Sequence, residues 1–174
     1  MTLRVALLFV LASLMVGCVS SGSVNPMRTS EGRDEARDAY IQLGIGYLQQ
    51  GEASRAKSPL RKALELDPNS ADAHAALALV FQNEMENQLA DEHYRKALSG
   101  QNDARIHNNY GSFLFEQKRY PEAMERFAKA AEDNLYSGRS HVFQNMGMTA
   151  LMLGQREQAE TYFTRALRLD SRQP

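Results

Sequence analysis

One pattern, Ala-x3-bulky-x2-Ala, occurs four times in this chain and constrains its fold more than any other feature. The copies are Ala56/Leu60/Ala63, Ala90/Tyr94/Ala97, Ala123/Phe127/Ala130 and Ala159/Phe163/Ala166. Successive copies begin 34, 33 and 36 residues apart. Each follows a second set at the same phase: Tyr40/Leu43/Gly44/Tyr47, His74/Leu77/Ala78/Phe81, His107/Tyr110/Gly111/Leu114 and Phe143/Met146/Gly147/Ala150. Spacings of three and four place each set on one face of a helix. Gly51 marks a turn between the first two faces, and Pro68 blocks continuation of the second. Small residues at Gly44, Gly111 and Gly147 predict close helix contacts. The reading is an all-α chain of helix–turn–helix units over 37–70, 71–103, 104–139 and 140–174. A unit this short cannot bury its apolar face alone and must stack on its neighbours.

The set resembles the tetratricopeptide repeat signature, with Tyr40 where that signature has Trp. The resemblance implies a right-handed superhelix of tetratricopeptide helix-turn-helix repeats with a concave face. Pro59, inside the second helix, should kink it. Asp34 and Glu35 suit the positive N-terminal end of the first helix. Extra residues around Asn134 to Arg139 should lengthen the loop closing the third repeat beyond the others. A polar capping helix after the last repeat is expected of a solenoid, and the 174 residues place none there.

A formal net charge of −1 gives no electrostatic case for nucleic acid or an anionic membrane surface. Hydrophobic residues make up 43% of the chain, enough for a sizeable core. The only cysteine, Cys18, leaves no intramolecular disulfide framework and no cysteine-based zinc cluster.

Residues 1–17 read as a leader. Arg4 gives a basic start, and the apolar run Val5 to Val16 is broken only by Ser13. That run is shorter than the roughly 20 residues a membrane-spanning helix needs, and it fits a secretory h-region. It ends in Met15-Val16-Gly17-Cys18, which resembles the bacterial lipobox with Met15 in place of Leu. The resemblance implies cleavage before Cys18 and acylation of that residue, with palmitate among its acyl chains. Cys18 would be the lipid attachment point and the chain's contact with the membrane. Val19, where an inner-membrane retention signal has Asp, favours the outer membrane, facing the periplasm. Residues 18–36, rich in Ser and Gly with Pro26, read as a lipidated N-terminus and flexible tether. Loss of Arg4 leaves 19 basic against 21 acidic residues, so the mature charge is −2.

There is no HExxH, P-loop, GxSxG or dinucleotide fingerprint. His74 and His107 share a repeat position and read as packing imidazoles rather than metal ligands. The scattered carboxylates, such as Glu84, Glu86, Asp91 and Glu92, read as a solvated face. The sequence reads as non-enzymatic, with no cofactor, metal or small-molecule substrate.

By repeat phase, the first helices should turn Ile41, Ile45 and Leu48, then Ala75, Leu79 and Gln82, toward the concave groove. Asn108, Ser112 and Phe115 follow, then Gln144, Met148 and Leu151, with Asn109 and Asn145 beside them. Amides carry both donor and acceptor and could hold the backbone of a bound segment, while apolar neighbours take its side chains. Asn109 and Asn145 could equally form inter-helix hydrogen bonds. Only Arg105 lines up with the basic residues of a carboxylate clamp, so that mode is not expected. The groove has little charge, which suits a hydrophobic partner segment and weak salt dependence.

Lipobox, short polar tether and tetratricopeptides together resemble the type IV pilus pilotin lipoproteins. The phrases Ala56-Lys57-Ser58-Pro59-Leu60-Arg61-Lys62-Ala63-Leu64, Asn108-Asn109-Tyr110-Gly111-Ser112-Phe113-Leu114 and Asp133-Asn134-Leu135-Tyr136 are similar to stretches of that family. Its members carry more repeats than the four seen here. The resemblance implies an adapter that binds secretin subunits and promotes their targeting to, and assembly in, the outer membrane. The alternative is a lipoprotein scaffold for another envelope assembly machine. In both cases the partner is an envelope protein.

Overall fold

The computed structural model describes residues 28–171, which form helices joined by turns, with no strand among them. The helices are α1 (Ser30–Gln49), α2 (Ala53–Leu66), α3 (Ala71–Asn83), α4 (Asn87–Ala97), α5 (Ala104–Glu116), α6 (Tyr120–Glu132), α7 (Arg139–Met152) and α8 (Arg156–Asp170). They pack in consecutive pairs. The second helix of each pair meets the first helix of the next, and α1 touches α3 as α5 touches α7. One core cluster runs through all four pairs, and Ile41, Ala63 and Ala73 form a smaller one near the start.

The turn inside each pair is the same structure built four times. The first helix ends with an N–H bonded to the carbonyl five residues back: Glu52 to Tyr47, Glu86 to Phe81, Arg119 to Leu114 and Gln155 to Ala150, at 2.8–2.9 Å. The residue before each donor has positive φ, which makes this a Schellman ending. Glycine fills that position at Gly51 and Gly154, but the second and third repeats place Met85 and Lys118 there.

The small residues do what the spacing requires. A Cβ added at Gly44 would lie 2.5 Å from Leu60 Cγ. At Gly111 it would lie 2.7 Å from the Phe127 ring, and at Gly147 2.6 Å from the Phe163 ring. The bulky residue of each Ala-x3-bulky set therefore seats on the glycine of its partner helix. The second repeat has Ala78 instead, and its bulky residue, Tyr94, stacks on Tyr110 of the next repeat at 5.0 Å. Tyr110 donates to Asp91 at 2.9 Å, and Arg119 donates to the same oxygen at 2.6 Å, tying the second repeat to the third.

Several features differ from the sequence reading. The helix α1 begins at Ser30 and takes in residues assigned to the tether. Thr29 caps it by accepting from the Gly32 N–H at 3.0 Å. Asp34 and Glu35 therefore lie past its first turn, where Asp34 pairs with Arg37. The loop at 133–138 is no longer than that at 98–103, because α4 ends early at Ala97, ahead of Gly100 at φ +87°. Cys18 and the leader lie outside the described residues. No helix among the described residues is long and apolar enough to cross a membrane.

Candidate functional site

The first helices α1, α3, α5 and α7 carry the groove positions at a constant phase, yet their side chains end in different environments. In the N-terminal half, Ile41 is 5% exposed and packs with Ala63 and Ala73, while Ala75 lies in the main core. Both are packing residues, because the neighbouring repeat closes over that edge. Ile45, Leu48 and Leu79 are half-buried against the core. Gln82 is occupied: its Oε1 accepts from the Tyr94 hydroxyl at 3.0 Å, and its Nε2 donates to Glu116 Oε2 at 2.8 Å.

The C-terminal half is more open. Asn145 Nδ2 donates to Asn108 Oδ1 at 3.2 Å, bridging the third and fourth repeats. Of the two bonding modes open to Asn145, the bridge between helices is the one present. Ser112 Oγ donates to the Asn108 carbonyl at 3.1 Å. Asn109 is half-buried and makes no side-chain hydrogen bond within the described residues. Gln144 faces α8, with its Nε2 at 3.5 Å from Asp170 Oδ2. Met148 and Leu151 are 48% and 45% exposed.

Ser112, Phe115, Asn145 and Met148 come together around a pocket of about 170 Å³, with Glu116 and Phe127 completing its lining. Phe115 is held edge-on by Tyr120, with ring centroids 5.3 Å apart. Phe127, 1% exposed, forms the floor because it sits on Gly111. Groove phase alone misses Phe127, which belongs to the second helix and reads as core, and Glu116, which reads as a solvated carboxylate. The usable signal for Glu116 was its place beside Phe115 on the last turn of α5.

Arg105, the one clamp-like cation, is held by Asp72 and lies 3.5 Å from Asp103. The buried histidines are packing groups. His74 Nε2 donates to the Pro68 carbonyl at 3.0 Å, so its Nδ1 accepts from His93 Nδ1, also at 3.0 Å. Burial pushes both imidazoles below the ordinary histidine value, His93 to about 4, and each ring is further lowered by nearby Lys96. His107 is lowered by burial and by Arg126 and Lys129. Among the described residues no group of three or more His, Cys, Asp or Glu is placed to hold a metal ion.

The tetratricopeptide repeat family matches residues 37–80 and 102–172. The Type IV pilus assembly protein PilF of Pseudomonas aeruginosa is 61% identical over 175 residues, covering 100% of this chain and 69% of that protein. A Haemophilus influenzae protein of uncharacterised function is 30% identical, covering 80% of this chain and 79% of its own length. The solved structure of Pseudomonas aeruginosa PilF superposes with a TM-score of 0.79 at 62% identity, covering 82% of this chain and 65% of that one. PilW, a type IV pilus biogenesis factor, gives 0.72 at 32% identity, covering 77% of this chain and 62% of its own. The chain thus spans about two thirds of the length of these pilus proteins. MamA, at 23% identity and a TM-score of 0.69, shares the fold.

Proposed function

The chain belongs to the PilF family of tetratricopeptide-repeat proteins of the type IV pilus, and from that premise we propose that it is a pilotin, an acylated outer-membrane adapter for secretin subunits. The observation that carries this is the 61% identity with a type IV pilus assembly protein over an alignment that covers 100% of the chain. Acylated Cys18 supplies the membrane address on the periplasmic face. The repeats supply a grip, with the groove along α1, α3, α5 and α7 taking an apolar segment of the secretin. Its role is positional and non-catalytic.

Deleting the gene and complementing it with the wild type or Cys18→Ala tests the reading. Detergent-resistant secretin multimers in the outer membrane are expected to disappear in the deletion strain and to return with the wild type. The Cys18→Ala protein is expected in the soluble periplasmic fraction, with multimers depleted from the outer membrane. Normal multimers in the deletion strain would overturn the secretin role. An unchanged membrane pellet for Cys18→Ala would overturn the anchor.

A further inference from the structure

We propose that the pocket between α5 and α7 is an anchor site for a partner segment that carries one bulky apolar side chain with a lysine or arginine close beside it. Phe115, Phe127 and Met148 receive the first and Glu116 the second. This deepens the reading of the groove as the protein-binding face and rests on it.

Size sets the apolar half of the requirement. The pocket holds about 170 Å³. A cavity of about 150 Å³ lined by aliphatic and aromatic side chains, engineered in another protein, takes up benzene. One leucine, isoleucine, methionine or phenylalanine side chain fits that space, and two do not. The floor is fixed, since the Phe127 ring rests on Gly111 and Phe115 packs on Tyr120.

The polar half follows from counting donors and acceptors. One of the two hydrogens on Asn145 Nδ2 and the hydrogen on Ser112 Oγ are directed to Asn108. What remains is one N–H of Asn145 and, against it, Asn145 Oδ1, the Ser112 oxygen lone pairs and the Glu116 carboxylate, only one oxygen of which is taken, by Gln82. Acceptors outnumber that one donor and carry the negative charge, so the matching ligand brings donors, from its backbone N–H groups and a cationic side chain. Glu116 is also the last residue of α5, where the helix dipole adds to the negative potential. Arg105 is neutralised by Asp72, and Lys118, in the turn after α5, makes no ion pair with Glu116. An acidic segment or a free C-terminal carboxylate would set acceptors against acceptors.

A random dodecapeptide library displayed on phage and selected on the full chain tests this. The enriched peptides are expected to share a bulky apolar residue with Lys or Arg a few positions away. For a synthetic peptide of that consensus, Glu116→Gln should lower affinity about two- to fivefold, the worth of an ion pair at an exposed carboxylate. The same substitution should leave a Lys-to-Gln version of the peptide unaffected. The replacement amide keeps an oxygen for Gln82, so the fold is retained. Phe115→Ala should lower affinity for both peptides, and a matched thermal melt would show that the repeat is intact. Selected peptides without basic enrichment, or equal affinity for wild type and Glu116→Gln, would overturn the proposal. Should the consensus hold while secretin multimers form normally in a Glu116→Gln strain, the anchor chemistry stands and the secretin is not its occupant.

Discussion

The interior of each repeat and the face it turns to the groove sit on the same helices, and they follow opposite rules. The interior is one contact built repeatedly: Leu60 on Gly44, Phe127 on Gly111 and Phe163 on Gly147. The groove is built once, with Ile45, Leu79, Ser112 and Met148 occupying one phase in four successive repeats. Helix pairs that must stack identically need identical packing, whereas a face that grips a non-repeating partner must vary along its length. The two halves of the groove differ as well. In the first half, Ile41 and Ala75 are consumed by packing between repeats, whereas in the second Phe115, Asn145 and Met148 remain around an open pocket.

The largest expected effect comes from breaking the repeated contact. Gly111→Leu should cost about 1–3 kcal/mol or more, because its Cβ alone would meet the Phe127 ring at 2.7 Å and a leucine there must displace that buried ring. Gly46→Ala is the contrast. It lies mid-helix in α1, and a Cβ there meets nothing within 4 Å. It should stabilise by about 0.5–1 kcal/mol through helix propensity. Thermal melts of both proteins check the pair, and a Gly111→Leu melt near wild type would refute the seating of Phe127 on α5.

This comparison also explains what the sequence could reveal. The succession of helix pairs and the glycine seats were legible because steric demands recur at a fixed period. Pocket membership was legible only in part, since phase finds residues of the first helices and not Phe127 reaching in from the second. The Asn108–Asn145 bridge was hard to foresee because the two residues stand at neighbouring phases, and their meeting depends on how α7 lies against α5. The start of α1 at Ser30 was obscured by Gly32 and by the Ser- and Gly-rich stretch before it, although Thr29 is a good cap.

A second effect tests whether the buried histidines are packing groups. Folding holds His74 and His93 neutral, with depressed pKa values, so below the ordinary histidine value the unfolded chain binds more protons than the folded one. Stability should therefore decline as the pH falls from about 6.5 toward the His93 value of about 4. The pair should account for about 1–2 kcal/mol after allowance for their partial exposure. Denaturant melts between pH 7 and 5 read this before most carboxylates titrate, and His93→Gln should flatten the slope. An unchanged slope would place the titration elsewhere.

Groove residues should cost less than core ones. Asn145→Ala removes the single hydrogen bond to Asn108 and should destabilise by about 0.5–1.5 kcal/mol. The test is a double-mutant cycle with Asn108→Ala. Additive losses would mean that the 3.2 Å bridge contributes nothing in solution.

The smallest effect is expected at the turns, where the four repeats are alike in structure and unlike in sequence. Met85 and Lys118 hold φ values of 61° and 60°, while Gly51 and Gly154 hold 75° and 76° at the same position. A side chain in the left-handed region costs about 1–2 kcal/mol, because Cβ crowds the following carbonyl. Glycine removes that cost but makes the unfolded chain more flexible, which returns about 0.5–1 kcal/mol. Met85→Gly should therefore stabilise by only about 0.5 kcal/mol. Met85 is 80% exposed and has little packing to lose, so it is the cleaner site. The reverse change, Gly51→Ala, should destabilise by about 0.5–1 kcal/mol, since a Cβ there meets no neighbour and the same strain and unfolded-state terms act with opposite sign. Measured together, the two substitutions should differ in sign. If both destabilise, Met85 contributes a contact that outweighs its strain, and the four turns are not energetically equivalent.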